Sequence, residues 1–480
     1  MKSKVVTRFA PSPTGYIHIG NLRSAIYPFL LARQAEGTFI LRIEDTDRAR
    51  YVEGATELIE ATLKWLWLNW DEGPDVGGPH APYFQTERVK SYEEWGRKLL
   101  AKGLAYADVR TPEEIEELRK DAASKKQPFL IRNYRPKKTP EWEPGMPLRF
   151  KQTELGPVEW DDAVYGHMTA GPEVLDDIIL IKKDSLPTYN FGHIVDDAEM
   201  GVTHVIRGQE YLSSMPNYVT LYKALDLKVP VLVHMPHILR PDGRKKLGKR
   251  DGAKSADDYK RDGILAEAML NYLACLGWND GTEQEIYTLE ELIEKFSIDK
   301  IQRAGGRFDE AKLLWLNGQW IRKLPMDVLY NRTIEGDFWP AASAGYDDDY
   351  RLQVLGIVYD RLKVLGDLRD YTEYFFADPR VDIEMITKNK MLSKFSEADL
   401  INMLTAVRDE MVGVNWSEDD IQEVLNSLLE KTGRKPGELF SLVRIAMSFA
   451  GFSPALNQTL FVLGRNVVLA RLSRVIEVLV

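Results

Sequence analysis

The chain has 480 residues, 44% of them apolar and 28% charged, with a formal net charge of −10. That length exceeds what one hydrophobic core serves, about 250 to 300 residues, so several domains are expected, and the ordinary apolar fraction excludes long disorder. A single cysteine, Cys275, excludes a disulfide framework and a Cys-rich zinc cluster and suits a reducing cytoplasm, while the absence of any uninterrupted run of about 20 apolar residues excludes a helical membrane span.

Taken in chain order, the first residues, MKSKVVTRFAPSP, lack an apolar stretch of signal-peptide length, so no secretion leader is expected. A strand-like run over 5–9 leads into a stiff Pro-containing turn over 10–15 and then a helical pattern over 22–35. A buried strand is expected over 38–43 and an amphipathic helix over 53–68. This is βαβ logic, which implies a parallel sheet. Further helices are expected over 92–100 and 112–123, with strands over 148–152 and 158–161. The pattern is irregular after Leu104, as an insertion in the sheet would make it. Strand signals return over 177–182, 203–207 and 231–234, with a helix over 211–225. Helices follow over 265–276 and 289–296, Cys275 falling on the apolar pattern of the first, where core packing is its expected role. From Phe308 onward nearly every segment has helical periodicity. No internal repeat or low-complexity tract interrupts the chain.

Two short motifs carry the chemistry. His18-Ile19-Gly20-Asn21 stands where a strand and loop open into a helix. Unpaired N–H groups and the helix dipole at such an end attract phosphate, Gly20 lets a nucleotide approach the backbone, and His18 can donate to phosphoryl oxygens. Lys246-Leu247-Gly248-Lys249-Arg250 puts two lysines in a short glycine-containing loop flanked by Arg240, Arg244, Lys245 and Lys254, a loop able to close on a triphosphate. A second basic zone over 119–138 holds eight basic residues against Asp121 alone, with Phe129 and Tyr134 among them. It reads either as a solvated surface or as a nucleic-acid contact.

With FAPSPTG (9–15), RIEDTD (42–47), VDD (195–197) and RGQEYL (207–212), these motifs make the chain resemble class I glutamyl-tRNA synthetases, sharply over the first three hundred or so residues and more weakly to the carboxyl end. The resemblance implies an α/β fold: a Rossmann-type parallel-sheet catalytic domain with an α+β insertion, a helical stem-contact region and an all-helical anticodon-binding region. The corresponding boundaries are 1–103 and 191–239 for the two catalytic halves, 104–190 for an acceptor-binding insertion, 240–324 for the lysine loop and stem contact, and 325–480 for the anticodon-binding region. The implied activity is glutamate–tRNA ligation in the cytoplasm. L-glutamate is activated by ATP with Mg²⁺ and passed to tRNA(Glu), tRNA(Gln) being undecided. A monomer is expected, with no zinc and no protein-held metal. Activation is expected to wait for tRNA.

By the same resemblance His18, Gly20, Lys246 and Lys249 serve catalysis, and Pro11, Ser12 and Asn21 join them at ATP. Arg8, Ala10, Ser12, Glu44, Tyr189, His193 and Arg207 surround glutamate, and Arg361 and Arg444 read anticodon bases. Arg suits a carboxylate because its planar fork binds both oxygens and rejects the neutral amide of glutamine. Gly248 departs from the family's usual serine, and the HIGH-type motif ends in Asn21. Asp196-Asp197 reads as a cap or loop feature after a strand, with metal ligation as the alternative. Asp45-Thr46-Asp47 is expected to end a strand and cap the next helix, with a link to the tRNA acceptor end as a further role. His80, His167, His204, His234 and His237 lack metal-ligand spacing and are expected to be structural. Glutaminyl-tRNA synthetases share the catalytic fold but usually end in β-barrels, against which the helical carboxyl end argues.

Overall fold

The computed structural model describes residues 4–15, 17, 19–248, 254–451 and 453–480. The chain divides into two compact units, Met1–Asp258 with Met269–Glu310, and Tyr259–Ala268 with Ala311–Val480.

In the first unit the elements run β1 (Val6–Phe9), α1 (Ile19–Gln34), β2 (Thr38–Leu41), α2 (Ala55–Trp65), α3 (Val89–Ala101), β3 (Ala105–Ala107) and α4 (Pro112–Ser124). They continue with β4 (Leu148–Phe150), β5 (Val158–Asp162), β6 (Gly166–Ala170), β7 (Ile179–Ile181), α5 (Tyr189–Glu199), β8 (His204–Gly208), α6 (Met215–Ala224) and β9 (Val231–Met235). Local chemistry explains several boundaries. Thr111 and Glu114 form a reciprocal capping box at the start of α4, with Pro112 on its first turn. Helix α1 is apolar on most of its circumference: Leu22, Ala25, Ile26, Tyr27, Phe29, Leu30 and Ala32 are all buried. A helix with so little polar surface belongs inside, and each large side chain so buried stabilises the unit by about 1.5 to 3 kcal/mol.

Strands β1 and β2 pair in parallel, Arg8 opposite Ile40, and β8 and β9 pair in parallel with Arg207 opposite His234. The Thr203 N–H donates to the Val6 carbonyl at 2.9 Å, which joins β1 to the start of β8. Strand β5 adds to β9 in parallel at Asp162–Leu232 and carries β6 antiparallel on its outer side. Strands from the expected insertion thus extend the central sheet directly. A separate antiparallel sheet has the order β3-β4-β7. The parallel strands bring Arg8, Arg207 and His234 toward their carboxyl ends, where open α/β sheets hold ligands.

Several expectations change in detail. The segment 188–197, expected to place Asp196-Asp197 after a strand, is helix α5, and both aspartates lie inside it, 0% and 2% exposed. The Asp45 carboxylate does not cap α2, whose N-cap is Gly54; it accepts from Thr86 N at 2.9 Å and so holds the 3₁₀ turn Gln85–Arg88. The helix expected from residue 211 begins at Met215, because Gln209–Ser214 is a 3₁₀ turn. Strands β3 and β6, both short and weakly patterned, stand outside the expected strands. Cys275 is half-buried, with Asn271 donating to its sulfur at 3.4 Å.

The chain continues with α7 (Ala256–Asp262), α8 (Ala266–Cys275), α9 (Leu289–Lys295) and α10 (Glu310–Lys323). The second unit then holds α11 (Met326–Glu335), α12 (Asp348–Val358), α13 (Asp367–Phe376), α14 (Ile383–Thr387) and α15 (Glu397–Met411), followed by α16 (Glu418–Thr432), α17 (Pro436–Ser448), α18 (Leu456–Leu463) and α19 (Arg465–Leu479). No strand occurs among its described residues, in line with the helical periodicity of the sequence. Helix α16 ends at Gly433 in the left-handed region, φ 64°, where glycine carries no steric cost. Arg471 ties α19 to its neighbours through the carbonyls of Met447 and Tyr374, at 2.6 and 2.8 Å.

Candidate active site

A cleft of about 320 Å³ opens at the carboxyl ends of the parallel strands, lined by Arg8, Ala10, Pro11, Ser12, Asn21, Glu44, Tyr189, Arg207, Glu210 and Tyr211 among others. Eight expected site residues therefore share one cavity. The turn after β1 is held against the chain after β2, because Arg42 N donates to Phe9 O at 3.0 Å and Glu44 N to Pro11 O at 2.9 Å. His18 and Lys249 lie outside the described residues. Gly20 stands in the first turn of α1, beside Asn21.

Asn21 of the first motif lines this cavity, and Lys246 of the second reaches it. Residues 238–247 fold back on themselves: Leu247 N donates to Ile238 O and Arg240 N to Lys245 O, both at 2.8 Å, around Gly243 at φ 70°. Lys246 then reaches Glu210, Nζ to Oε1 3.2 Å, and Glu210 lines the cleft. Beyond the lysine loop, Ala256 N donates to the carbonyl of Ile17 at 3.4 Å. Burial pushes the Glu210 carboxyl up, but backbone N–H groups, Lys246 and His237 together hold it below its ordinary range.

Beneath the cleft lies a buried charge network that sequence reasoning missed. Asp197 Oδ1 accepts from Arg8 Nε at 3.1 Å and from Arg42 Nη1 at 2.7 Å, and Arg42 Nη2 donates to Glu44 Oε1 at 3.1 Å. Asp196 accepts from Arg88 Nε at 2.7 Å and Gln85 Nε2 at 2.8 Å. Burial acts to raise Asp197, yet Arg8 and Arg42 hold it well below the usual carboxylate range. Burial likewise pushes Glu44 up, and there Arg42 and Arg8 oppose it only in part. Asp196 is thus committed to guanidinium, amide and Tyr92 hydroxyl partners, and Asp197 to two guanidiniums through Oδ1. No group of three or more His, Cys, Asp or Glu among the described residues is arranged to hold a metal ion.

Arg207, which lines the cleft, takes no part in this charge pairing. Its side chain is 6% exposed, yet its partners among the described residues are neutral: His234 Nε2 at 3.0 Å, His193 Nε2 at 3.3 Å, Tyr189 Oη at 3.4 Å and Met215 Sδ at 3.0 Å. Tyr211 and Tyr218 lend ring faces at 4.8 and 5.1 Å. A buried cation without a counter-ion is costly, and an arriving carboxylate removes that cost. His193 stands behind the cleft lining, stacked on Tyr189 at 4.7 Å. Its Nδ1 lies 2.6 Å from Tyr189 O, which leaves Nε2 as acceptor for Arg207. Burial first, and the Arg207 cation second, push His193 down to about 3, so the ring is neutral. His234, expected to be structural, is fully buried and touches Arg207, a contact set by the parallel register of 205–207 with 232–234.

Arg361 and Arg444 belong to the second unit. Arg361 ends the 3₁₀ turn Tyr359–Arg361 and Arg444 lies in α17; both are exposed. In the basic zone, Arg119 stands over the Phe129 ring at 4.7 Å, Lys125 pairs with Asp121 and Arg135 with Asp177, so part of its charge is spent within the fold.

Residues 4–315 match the family model described as tRNA synthetases class I (E and Q), catalytic domain, and residues 326–476 match an anticodon binding domain. A glutamate–tRNA ligase of Clostridium botulinum (strain Eklund 17B / Type B) is 40% identical over 486 residues, 99% of each chain, and one of Clostridium novyi (strain NT) is 40% identical over 457 residues, covering 94% of this chain and 93% of its own. Among solved structures, a glutamate tRNA ligase from Elizabethkingia meningosepticum in complex with its amino acid matches with a TM-score of 0.88 and 30% identity over all of both chains.

Proposed function

Because the chain belongs to the class I glutamyl-tRNA synthetases, glutamate–tRNA ligases that depend on ATP, we propose that its cleft holds L-glutamate through Arg207 and Arg8 while ATP lies along the opening of α1. The observation that carries this reading is the buried Arg207 guanidinium, which meets only neutral groups among the described residues. Its planar fork suits a carboxylate, and glutamine, whose amide brings no charge, would leave it unbalanced. Tyr189 orients the same carboxylate from beside Arg207. Glu44 and Ser12 receive the α-ammonium. His193 acts from behind, and Ala10 supplies backbone at the cleft wall.

In the reaction the α-carboxylate of glutamate attacks the α-phosphorus of ATP, pyrophosphate leaves, and the terminal adenosine hydroxyl of tRNA(Glu) then takes the glutamyl group with release of AMP. The protein's part is positioning and charge stabilisation. Pro11, Ser12, Gly20 and Asn21 accommodate the nucleotide, and His18, Lys246 and Lys249 stabilise charge on the departing pyrophosphate. Mg²⁺, which this class generally uses, comes with ATP as part of the substrate and adds positive charge at the phosphates. The donor set at the cleft, where Glu44 serves Arg42 and Glu210 serves Lys246, fits a metal carried by the nucleotide rather than one caged by the protein.

We assign 1–103 and 191–239 to the catalytic halves, 104–190 to the acceptor end of tRNA, 240–324 to the lysine loop and stem, and 325–480 to the anticodon, with Arg361 and Arg444 as base readers. The family match over residues 326–476 supports the last of these. The chain is proposed to work as a cytoplasmic monomer on tRNA(Glu). Charging of purified tRNA(Glu) and tRNA(Gln) in parallel, with glutamate and ATP, tests the reading: glutamyl-tRNA(Glu) and released pyrophosphate are expected, and failure to charge tRNA(Glu) refutes it.

A further inference from the structure

We propose that Asp162 and His234 form a positioning pair that fixes the imidazole tautomer on which the aim of Arg207 at the substrate carboxylate depends. The inference rests on the reading of Arg207 as the carboxylate-binding group and adds two residues to it.

The three side chains come from three adjacent parallel strands. Arg207 on β8 lies opposite His234 on β9, and Asp162 ends β5, opposite Leu232 of β9. All are closed to solvent, at 6%, 0% and 3% exposure. Arg207 Nε donates to His234 Nε2 at 3.0 Å. A guanidinium Nε always carries its proton, so this contact is a hydrogen bond only if His234 Nε2 presents a lone pair. The ring must then be neutral with its proton on Nδ1. Nδ1 lies 2.6 Å from Asp162 Oδ2, an acceptor. Burial disfavours a second proton on this ring, and the bond to Asp162 opposes burial only in part.

Asp162 is itself held. Its Oδ1 accepts from Val164 N at 3.0 Å and Tyr165 N at 2.9 Å, while Oδ2 also faces His234 N at 3.3 Å. The order of control therefore runs from a backbone turn through a carboxylate and a tautomer to a guanidinium. With Nε engaged by His234, the Nη atoms turn to His193, Tyr189 and Met215, of which Tyr189 lines the cleft. His193 does the same on another edge, its Nδ1–H donating to Tyr189 O and its Nε2 accepting from Arg207 Nη1. Two neutral rings thus orient one cation without neutralising it, which leaves its charge for the substrate.

The geometry makes Asp162→Asn an unusually directed test. Because Oδ1 accepts from two backbone N–H donors and Oδ2 from one, the amide keeps its oxygen at the Oδ1 position and turns its NH₂ toward His234, giving up the bond from His234 N. That NH₂ donates to Nδ1, drives the ring proton to Nε2, and sets Nε2–H against Arg207 Nε–H, the same logic by which an amide beside a histidine traps the wrong tautomer. In aminoacylation assays the KM for glutamate is expected to rise about tenfold, with kcat and the KM values for ATP and tRNA nearly unchanged, because the lost interaction concerns substrate binding. ¹⁵N-histidine spectra should show His234 protonated on Nδ1 in the wild type and on Nε2 in the variant. In a His234→Gln background, where a carbonyl without tautomers can accept from Arg207, Asp162→Asn should add no more than about a twofold rise.

Arg207→Met separates the two claims. If it leaves the KM for glutamate unchanged, the carboxylate reading itself falls. If it raises that KM while folded Asp162→Asn does not, the carboxylate reading stands and the positioning role is overturned. Wild-type His234 protonated on Nε2 overturns the role even where Asp162→Asn does not fold.

Discussion

Asp197 and Arg42, 155 positions apart in sequence, meet at 2.7 Å with both side chains closed to solvent, and the same Asp197 oxygen also accepts from Arg8 at 3.1 Å. One buried carboxylate thus fixes two guanidiniums, one of which lines the cleft.

Removing that charge leaves two buried cations short of a partner. Asp197→Asn is expected to destabilise the first unit by about 3 to 5 kcal/mol, as breaking a buried pair does. Urea unfolding followed by tryptophan fluorescence measures it. A loss below about 1 kcal/mol would place the pair among surface-like interactions.

The acid limb of stability carries the signature of His193. Burial and Arg207 depress this ring from 6.5 to about 3, so between those values the unfolded chain binds a proton that the folded one refuses. Stability from this group is complete above its unfolded value and lost as pH falls through the window, at about 1.4 kcal/mol per pH unit once the unfolded ring is fully protonated. His193→Gln should flatten the wild-type slope between pH 6 and 4 by that amount. Superimposable slopes would mean that the native ring already carries the proton.

Lys246 and Glu210 have expected effects of very different size. Lys246→Ala removes a cation proposed to act on the leaving pyrophosphate and should lower kcat by about a hundredfold to a thousandfold. Glu210→Gln releases Lys246 from a half-exposed contact of 3.2 Å and should change the KM for ATP by less than about fivefold. Pyrophosphate release measured in both variants decides whether the lysine serves the reaction or only its ion pair.

Arg361 and Arg444 are exposed, so alanine at either should leave the melting temperature within the usual range for surface changes. If they stack on or bond to anticodon bases, each loss is worth about 1 to 3 kcal/mol, seen as a rise in the KM for tRNA(Glu) with glutamate and ATP unaffected. Unchanged tRNA kinetics in both variants would leave them as solvated helix surface.

Much of this was legible beforehand because it is local. The strand-like run over 5–9, the apolar helix after Gly20 and the helix expected over 112–123 are set by neighbours within a few residues, and the structure has an element at each. The motif residues Arg8, Ser12, Asn21, Glu44, Tyr189 and Arg207 were also identifiable, by resemblance, and they share one cleft. The reading failed where an acidic pair suggested a loop: Asp196 and Asp197 lie in a helix, because arginines from distant segments compensate charges that a buried helix would not otherwise tolerate.

Sequence by itself determined which residues favour helix or strand, where phosphate-attracting turns stand, and to which family the motifs point, since each depends on short-range sterics, capping and residue type. Tertiary structure alone decided which charges are balanced. Whether Arg8 meets Asp197, and whether Arg207 meets two imidazoles in place of a carboxylate, depends on the register of strands far apart in the chain. Electrostatic energy is set by distance and burial, and neither exists until the chain has closed.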